Sequence, residues 1–251
     1  MNNNGMTNFR IATYNIQAGI GSGRLSHVVT HSLRYLMPHS QCHANLDRIS
    51  AAISTLDIVA IQEADSGSYR SRYIHQMDYI AHRAGFPYAH ALITREVSDL
   101  ASMTQGLLSK LPWSHLVEHR LPASRHGRVA LECVFQISER PIAFIGTHLS
   151  LGKYSRMRQM RYLAHLVRQH QNVILAGDLN CTPDSDEMRH LLAATGLRLF
   201  AGPIPSSFPS WNPQRRIDHV LVGGALEIES LQTMPVICSD HLPVVADVRL
   251  T

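Results

Sequence analysis

The sequence has few cysteines and no long apolar run, and each shortage argues against a class of protein. The four cysteines among the 251 residues stand singly, at Cys42, Cys133, Cys181 and Cys238. Their spacing fits neither a zinc site nor a dense disulfide framework, so we expect reduced thiols. No apolar run reaches the length of a membrane span, and the first residues lack the basic and apolar regions of a signal peptide. A cytoplasmic protein without a transmembrane segment is therefore predicted.

Three familiar sequence signatures are also missing. The glycine-rich stretch "GIGSGR" at residues 19–24 has the spacing of neither a dinucleotide-binding fingerprint nor a P-loop. No GxSxG elbow is present, so a serine hydrolase of the α/β type is not indicated.

The composition is that of an ordinary folded chain. Apolar residues make up 45% and charged residues 17%, and chains of this length often form one unit. Because no repeat or linker interrupts the sequence, we predict a single domain over residues 1–251. The formal net charge is +4 with sixteen histidines, and the pI is near 9.0. This balance favours acidic partners such as nucleic acid, phosphorylated metabolites or anionic lipid surfaces.

Short segments rich in branched residues alternate with segments of helical periodicity. Helices are predicted over residues 43–56 and 154–170, and a third begins at 184–186 and ends near Gly196. Segments 129–137 and 142–147 are close enough to pair antiparallel. Two sheets packed face to face with helices outside satisfy both signals, which predicts an α/β sandwich. Strands are predicted over residues 9–14, 58–61, 129–137, 142–147, 173–176, 217–222 and 244–248.

Polar residues of metal-ligand or acid–base type stand at the ends of these apolar segments. Any one of them alone would be interpreted as a cap, a turn or a satisfied core histidine. A set of eight is hard to attribute to turns, and strand ends commonly carry active sites. The eight residues are Asn15, Glu63, His148, Asp178, Asn180, Asp218, Asp240 and His241.

The chemistry of this set is consistent. Mg²⁺ takes oxygen ligands and keeps several waters, so Glu63 and Asp240, with Asn15 nearby, would supply a typical site, and Mn²⁺ is the second candidate. A histidine serves as a general base or phosphate partner near neutral pH, and it works better when a carboxylate fixes its tautomer. Asp218 could orient His241 in this way.

Eight segments jointly resemble the endonuclease/exonuclease/phosphatase superfamily, which includes pancreatic-type deoxyribonuclease, abasic-site endonucleases, neutral sphingomyelinases and inositol-polyphosphate phosphatases. They occur in the family's order and span nearly the whole chain. The resemblance implies a four-layered α/β sandwich of two mixed β-sheets flanked by helices, and metal-dependent hydrolysis of phosphate esters. The segments are "ATYNIQAG", "DIVAIQEAD", "QGLLSKLP", "HGRVALECVF", "GTHLS", "AGDLNCTP", "RRIDHVLV" and "SDHLPVVADV".

The resemblance also implies metal and nucleophile positions. Asn15 and Glu63 match the family's metal-site residues, with Asp240 as a further ligand. Asp178 and Asn180 match the residues that align the attacking water and hold the phosphate.

Further roles follow from the same match. The two family histidines correspond to His148 and His241, and the acid paired with the second corresponds to Asp218. Arg128 falls where relatives often carry a phosphate-contacting arginine. Gln105 replaces the asparagine of many relatives; we keep it as a phosphate contact, with a part in the scaffold of the site as the other interpretation. The segment "GTHLS", with its histidine, resembles the corresponding segment of the deoxyribonuclease and sphingomyelinase branches. This resemblance argues against abasic-site specificity.

A long segment, Gly19 to His43, separates the strand that ends at Asn15 from the first helix. Loops of this length are usually functional or disordered. Arg24 and Arg34 could contact phosphate oxygens, which would make this a substrate-selecting loop. A surface excursion with its own small core is the equally weighted alternative.

Two functions from different classes follow. The first is a Mg²⁺-dependent phosphodiesterase, either a nuclease or a lipid or small-molecule enzyme, with a phosphomonoesterase as its variant. The second is a catalytically degenerate module that binds a phosphate ligand or a protein. The full set of acids and histidines favours the enzyme, because a binding module needs no aligned nucleophile, base and orienter. Aromatic residues are only 6% of the chain and no basic run stands out, which keeps phospholipid and small-molecule substrates beside nucleic acid. No obligate protein partner is indicated.

Overall fold

The computed structural model describes residues 7–21, 36–122 and 127–251. In this part of the chain four α-helices flank two sheets; they are α1 (Cys42–Ile53), α2 (Gln76–Ala84), α3 (Lys153–Val167) and α4 (Asp186–Thr195). Short 3-10 turns occupy Gln17–Gly19 and Tyr69–Ser71. The strands are β1 (Asn8–Asn15), β2 (Ile58–Ala64), β3 (Tyr88–Val97), β4 (Ala101–Ser109), β5 (Trp113–Arg120), β6 (Val129–Ile137), β7 (Arg140–His148), β8 (Val173–Asp178), β9 (Asp218–Gly223), β10 (Leu226–Thr233) and β11 (Val244–Leu250).

Both sheets mix parallel and antiparallel pairs. The six-stranded sheet has the order β10-β11-β1-β2-β4-β3, and the five-stranded sheet has the order β5-β6-β7-β8-β9. β1 runs parallel to β2, and β7 runs parallel to β8. The carboxyl ends of each parallel pair therefore meet at one edge of their sheet.

Three buried apolar clusters separate four layers. The strands alternate their side chains between two faces, so Ile11 joins the cluster between the sheets while Tyr14 packs under the helices. Leu46 of α1 and Ile80 of α2 cover the six-stranded sheet. Leu163 of α3 belongs to the cluster that covers the five-stranded sheet. The predicted four-layered sandwich of two mixed sheets is confirmed.

The predicted elements are present, but the prediction was incomplete. The antiparallel pairing of β6 with β7 is confirmed, and α4 begins at the N-cap Ser185, whose side chain accepts from the Met188 N–H, and ends at Gly196 with φ 69°. The prediction omitted β3, β4, β5, β10 and α2. β3 and β5 are edge strands without a single fully buried side chain, so neither shows a strong apolar pattern.

Two further features of the structure concern the cysteines and the helices. All four cysteines are buried free thiols, and burial raises the pKa of the Cys133 thiol to about 12. Among the described residues, no helix is both long and apolar enough to cross a membrane. A single domain over the whole chain stays a prediction.

Candidate active site

Strand ends from both sheets meet at one edge of the sandwich. Asn15 ends β1 in the six-stranded sheet, and Asp178 ends β8 in the five-stranded sheet. The Asn15 side-chain amide donates to Asp178 Oδ2 at 3.2 Å. His148, at the end of β7, places Nε2 at 3.3 Å from the same oxygen. The sequence-predicted residues from the two sheets are thus in direct contact.

The turn after β8 holds the Asp178 carboxylate in place. A Cβ at position 177 would lie 1.9 Å from the Thr147 carbonyl oxygen, so only glycine lets β8 approach β7 here. The Asn180 backbone N–H donates to Asp178 Oδ1 at 3.0 Å, with Asn180 in the left-handed region at φ 53°. The Asn180 side-chain amide donates to the Leu149 carbonyl at 2.9 Å. "GDLN" is therefore a tight turn that aims one carboxylate, and the phosphate contact of Asn180 stays a prediction.

Glu63 reaches the site through a β-bulge. Ile61 pairs with Gly106 and Ala64 pairs with Thr104, so β2 has one residue more than β4 across this interval. Glu63 adopts a left-handed φ of 57° there. Bulges next to active sites commonly re-aim a side chain. The Glu63 side chain is 19% exposed, which leaves its carboxylate accessible from the edge of the sandwich.

His241 and Asp218 form a buried pair. His241 Nδ1 donates to Asp218 Oδ2 at 2.8 Å, and the Ser207 hydroxyl donates to the same oxygen at 2.5 Å. His241 Nε2 lies 3.8 Å from Asp178 Oδ2. Burial alone would lower the pKa of His241, but the negative charges of Asp218 and Asp178 raise it to about 10. A protonated His241 beside a carboxylate is the result.

Two other titratable groups at this centre, Asp178 and His148, are shifted towards their neutral forms. Burial and the charge of Asp218 raise the pKa of Asp178 to about 7. Burial, with the positive charges of Arg128 and His241, holds the pKa of His148 well below its usual range. The centre therefore combines a carboxylate that titrates near neutral pH, a neutral imidazole and a protonated one.

Two groups of side chains offer ligands for a cation. Burial and the nearby charge of Asp240 raise the pKa of Glu63, and burial likewise raises the pKa of Asp240. Such carboxylates become more favourable when a cation neutralises them, and an oxygen-donor set with water suits Mg²⁺. The second group is Asp178, Asp218 and His241, whose ligand atoms lie within 4.8 Å of one another. The donation from His241 to Asp218 occupies part of that group, so Glu63 and Asp240 with Asn15 remain the better match to a hard cation.

Of the remaining predicted residues, the structure describes Arg128 and Gln105. Arg128 is partly buried beside Glu63 and Asp178, and burial lowers its pKa. Gln105 donates to the Gly146 carbonyl of the opposite sheet at 2.7 Å. This bond gives Gln105 a part in the scaffold, and its contact with phosphate stays a prediction. Arg24 and Arg34 lie outside the described residues, as does most of the proposed substrate-selecting loop.

Sequence reasoning missed a short hairpin, residues 207–215, that holds the Asp240–His241 loop. Phe208 packs its ring 4.9 Å from the His241 ring. Ser210 donates its N–H to the Asp240 carbonyl at 2.7 Å and its hydroxyl to the Ser239 carbonyl at 2.6 Å. The serines and prolines of this segment indicate only a loop. The signal that could have identified it is the pair of aromatic residues, Phe208 and Trp211, in a turn-rich stretch that closely precedes Asp218.

Two sequence comparisons with known proteins gave different results. A family model described as the Endonuclease/Exonuclease/phosphatase family matches residues 12–241. No curated protein sequence matches the chain.

Solved structures share the fold at low sequence identity. An endonuclease/exonuclease/phosphatase from Beutenbergia cavernae DSM 12333 is 20% identical with a TM-score of 0.76, over 98% of this chain and 72% of the other. A mannosyl-6-phosphatase from Bacteroides thetaiotaomicron VPI-5482 is 14% identical with a TM-score of 0.71, over 96% and 99% of the two chains. D. rerio TDP2 complexed with single-strand DNA product is 14% identical with a TM-score of 0.70, over 97% and 100%. At these identities the likeness establishes the fold alone.

Proposed function

Because the chain belongs to the Endonuclease/Exonuclease/phosphatase family, whose members hydrolyse phosphate esters, we propose that it is a divalent-metal-dependent phosphodiesterase. The observation that carries the proposal is the environment of Asp178. Its buried carboxylate has a pKa of about 7, is held by Asn15 and Asn180, and faces a histidine that a second carboxylate orients. A structural aspartate needs no such surroundings.

Glu63, Asp240 and Asn15 would hold the metal ion, Mg²⁺ or Mn²⁺. When bound, the ion supplies Lewis-acid stabilisation of the negative charge that develops on the phosphoryl and leaving oxygens. The three residues bring two carboxylates and one amide, which leaves further coordination positions to water and substrate.

The protein's own groups then supply proton transfer and charge stabilisation. Asp178 accepts a proton from the attacking water, for which a pKa near the working pH is the most effective value. Asn15 and Asn180 keep one face of the carboxylate directed at that water. His241, protonated and oriented by Asp218, donates a hydrogen bond to a phosphoryl oxygen. Arg128 adds a second positive charge on the side of Glu63.

The charge of the site favours a diester over a monoester. Four carboxylates, those of Glu63, Asp178, Asp218 and Asp240, surround the centre, and a monoester brings up to two negative charges to phosphorus where a diester brings one. A phosphomonoesterase remains the second candidate, because a mannosyl-6-phosphatase has the same fold. The complex of D. rerio TDP2 with a DNA product supports nucleic acid as one class of diester, and phospholipid is the other class that we propose. The cytoplasmic location and the absence of an obligate protein partner stay predictions.

The test is a hydrolysis panel with Mg²⁺, with Mn²⁺ and with excess chelator. The substrates are bis(4-nitrophenyl) phosphate, 4-nitrophenyl phosphate, single-stranded DNA, RNA, phosphatidylcholine and sphingomyelin. We expect metal-dependent release from a diester, lost in chelator and in the Glu63→Gln variant, which removes a charged ligand. Full activity in chelator would contradict the metal requirement. Binding of phosphate esters without any hydrolysis would identify a degenerate binding module instead.

A further inference from the structure

A β-bulge in β3 determines which way Arg95 points. In the antiparallel pair of β3 with β4, Ile93 lies opposite Thr104 and Arg95 lies opposite Met103, so Thr94 is an extra residue on β3. The Thr94 hydroxyl donates to the Met103 carbonyl at 3.0 Å, which holds the bulge. Without the extra residue, Arg95 would stand one position further along β4 and on the opposite face of the sheet.

The face that Arg95 joins is the one between the two sheets. Gln105 and Leu107 follow Met103 at the two-residue period of a strand. Leu107 belongs to the core between the sheets, and Gln105 donates to Gly146 in the other sheet. The bulge therefore directs Arg95 away from the helix layer and towards the cleft between the sheets.

A cavity of about 260 Å³ lies beside Arg95. Thr104, next to Met103, pairs with Ala64, the neighbour of Glu63, so this end of β4 adjoins the candidate metal site. The walls are mostly apolar, with the charge confined to the arginines; they include Val97, Ala101, Met103, Arg70 and Arg95.

The two arginines of the cavity differ in how they are used. Arg70 is committed to the protein, because its guanidinium contacts Asp65 Oδ2 at 2.8 Å and also donates to the Ser102 carbonyl. Arg95 is exposed, and across residues 7–21, 36–122 and 127–251 it has no ion pair. An exposed guanidinium at the mouth of an apolar cavity is the chemistry that binds an anion attached to an apolar group.

Positive charge also links the cavity to the catalytic residues. The segment before Arg128 packs on the bulge, since a Cβ at Gly127 would lie 2.1 Å from the Thr94 carbonyl oxygen. Arg128 is near enough to interact electrostatically with both Glu63 and Arg95, and its pKa is lowered by burial and, to a smaller extent, by the charge of Arg95. An anionic substrate would therefore meet a positive group in the cavity, at Arg95, and another beside the catalytic residues, at Arg128.

We propose that this cavity is a substrate subsite for a second anionic group carried on a short apolar stem, with Arg95 binding the anion. The inference rests on the proposed function, because it assigns part of the substrate of that site. Val97, Ala101 and Met103 bury the stem, and the guanidinium takes a carboxylate or phosphate with two parallel hydrogen bonds. At about 260 Å³ the space holds a short chain or one ring, less than the usual volume for a drug-sized ligand.

The experiment measures competitive inhibition of bis(4-nitrophenyl) phosphate hydrolysis by two matched series. One series consists of alkylphosphonates of increasing chain length, and the other of ω-carboxyalkylphosphonates of the same lengths. We expect the carboxylate to improve the inhibition constant about tenfold at one chain length. The Arg95→Gln variant should lose this advantage and keep the parent's inhibition constant for the plain alkylphosphonate. Ala101→Leu should weaken the longer members of both series, because it fills the cavity.

Arg249→Gln is the matched control, because Arg249 is an exposed arginine on β11 opposite Asn8, at the far end of β1 from Asn15. It should leave both series unchanged. The subsite is overturned when no chain length gains from the carboxylate, or when Arg95→Gln keeps the gain. Failure of the proposed function has a different signature, the absence of hydrolysis. In that case, calorimetric titration of the same phosphonates into the parent and Arg95→Gln proteins still tests the subsite.

Discussion

Asp65 and Asp178 are two buried aspartates at the same edge of the sandwich, and their surroundings shift their pKa in opposite directions. Asp65 follows β2 and accepts hydrogen bonds from the Ser68 N–H and hydroxyl, both at 2.7 Å. Arg70 adds an ion pair at 2.8 Å. Burial would raise the pKa of Asp65, but these donors and the charge of Arg70 lower it to about 2. The charged form of Asp65 is therefore favoured in the folded protein.

Asp178 has fewer donors and an unfavourable neighbour. Asn15 and the Asn180 N–H donate to it at 3.2 and 3.0 Å, while burial and the charge of Asp218 raise its pKa to about 7. The comparison teaches that burial alone does not set the state of a carboxylate; the number of donors and the sign of nearby charge do. Asp65 therefore stabilises the fold, whereas the surroundings of Asp178 disfavour its charged form and so suit it to proton transfer.

The largest expected effect separates the two residues by activity. Asp178→Asn should lower kcat for bis(4-nitrophenyl) phosphate on the order of 10³-fold, because the amide cannot accept the proton of water. Its Tm should stay equal or rise, since the variant no longer buries a carboxylate with a raised pKa. Steady-state kinetics and thermal unfolding measure both. A variant with the parent rate would show that Asp178 is not the base.

The reverse result is expected for Asp65→Asn. The change leaves Arg70 buried without its ionic partner, which costs about 3–5 kcal/mol of unfolding free energy. Denaturant unfolding measures the loss. Asp247→Asn is the control, because Asp247 pairs with Arg10 at the surface, and exposed pairs contribute about 1 kcal/mol or less. Equal losses in the two variants would remove the distinction between the buried and exposed pairs.

Acid should remove part of this contribution without any mutation. The pKa of Asp65 is about 2 in the folded protein, below the value of about 3.9 in unfolded chains. Between these values the unfolded state binds more protons, so the stabilisation is complete above about pH 5 and is lost as the pH falls towards 2. The loss is on the order of 2–3 kcal/mol. The difference in unfolding free energy between the parent and Asp65→Asn should therefore shrink with acid, and a constant difference would contradict the assignment.

The smallest effect concerns the hairpin at residues 207–215. Ser207→Ala removes a donor to Asp218 and should lower kcat about tenfold with little change in KM, since a hydrogen bond to a charged group contributes about 1.5–3 kcal/mol. Ser207→Thr keeps the hydroxyl and should restore the rate. A threonine variant as slow as the alanine variant would show that packing at position 207 matters rather than the hydrogen bond.

Much of the fold could be predicted from sequence because its signals are local. β6 has the bounds of its predicted strand, and α4 begins and ends at its predicted caps, since apolar runs and capping residues act within a few positions. The family match covers residues 12–241, and the eight candidate acids, amides and histidines are recognisable in the sequence because each stands at the end of an apolar segment. The edge strands β3 and β5 were not predicted, because none of their side chains is fully buried and their apolar pattern is weak.

The sequence by itself determined the four-layered fold and the chemical types gathered at its edge, whereas the tertiary structure alone decided how each residue is used. Asp65 and Asp178 have similar local sequence contexts, since each follows a buried strand and opens a turn. Their difference comes from partners as remote as Asn15, which is 163 positions from Asp178. The same holds for Thr94, whose bulge exists only against β4. Charge, burial and register depend on groups brought together by folding, and no local pattern records them.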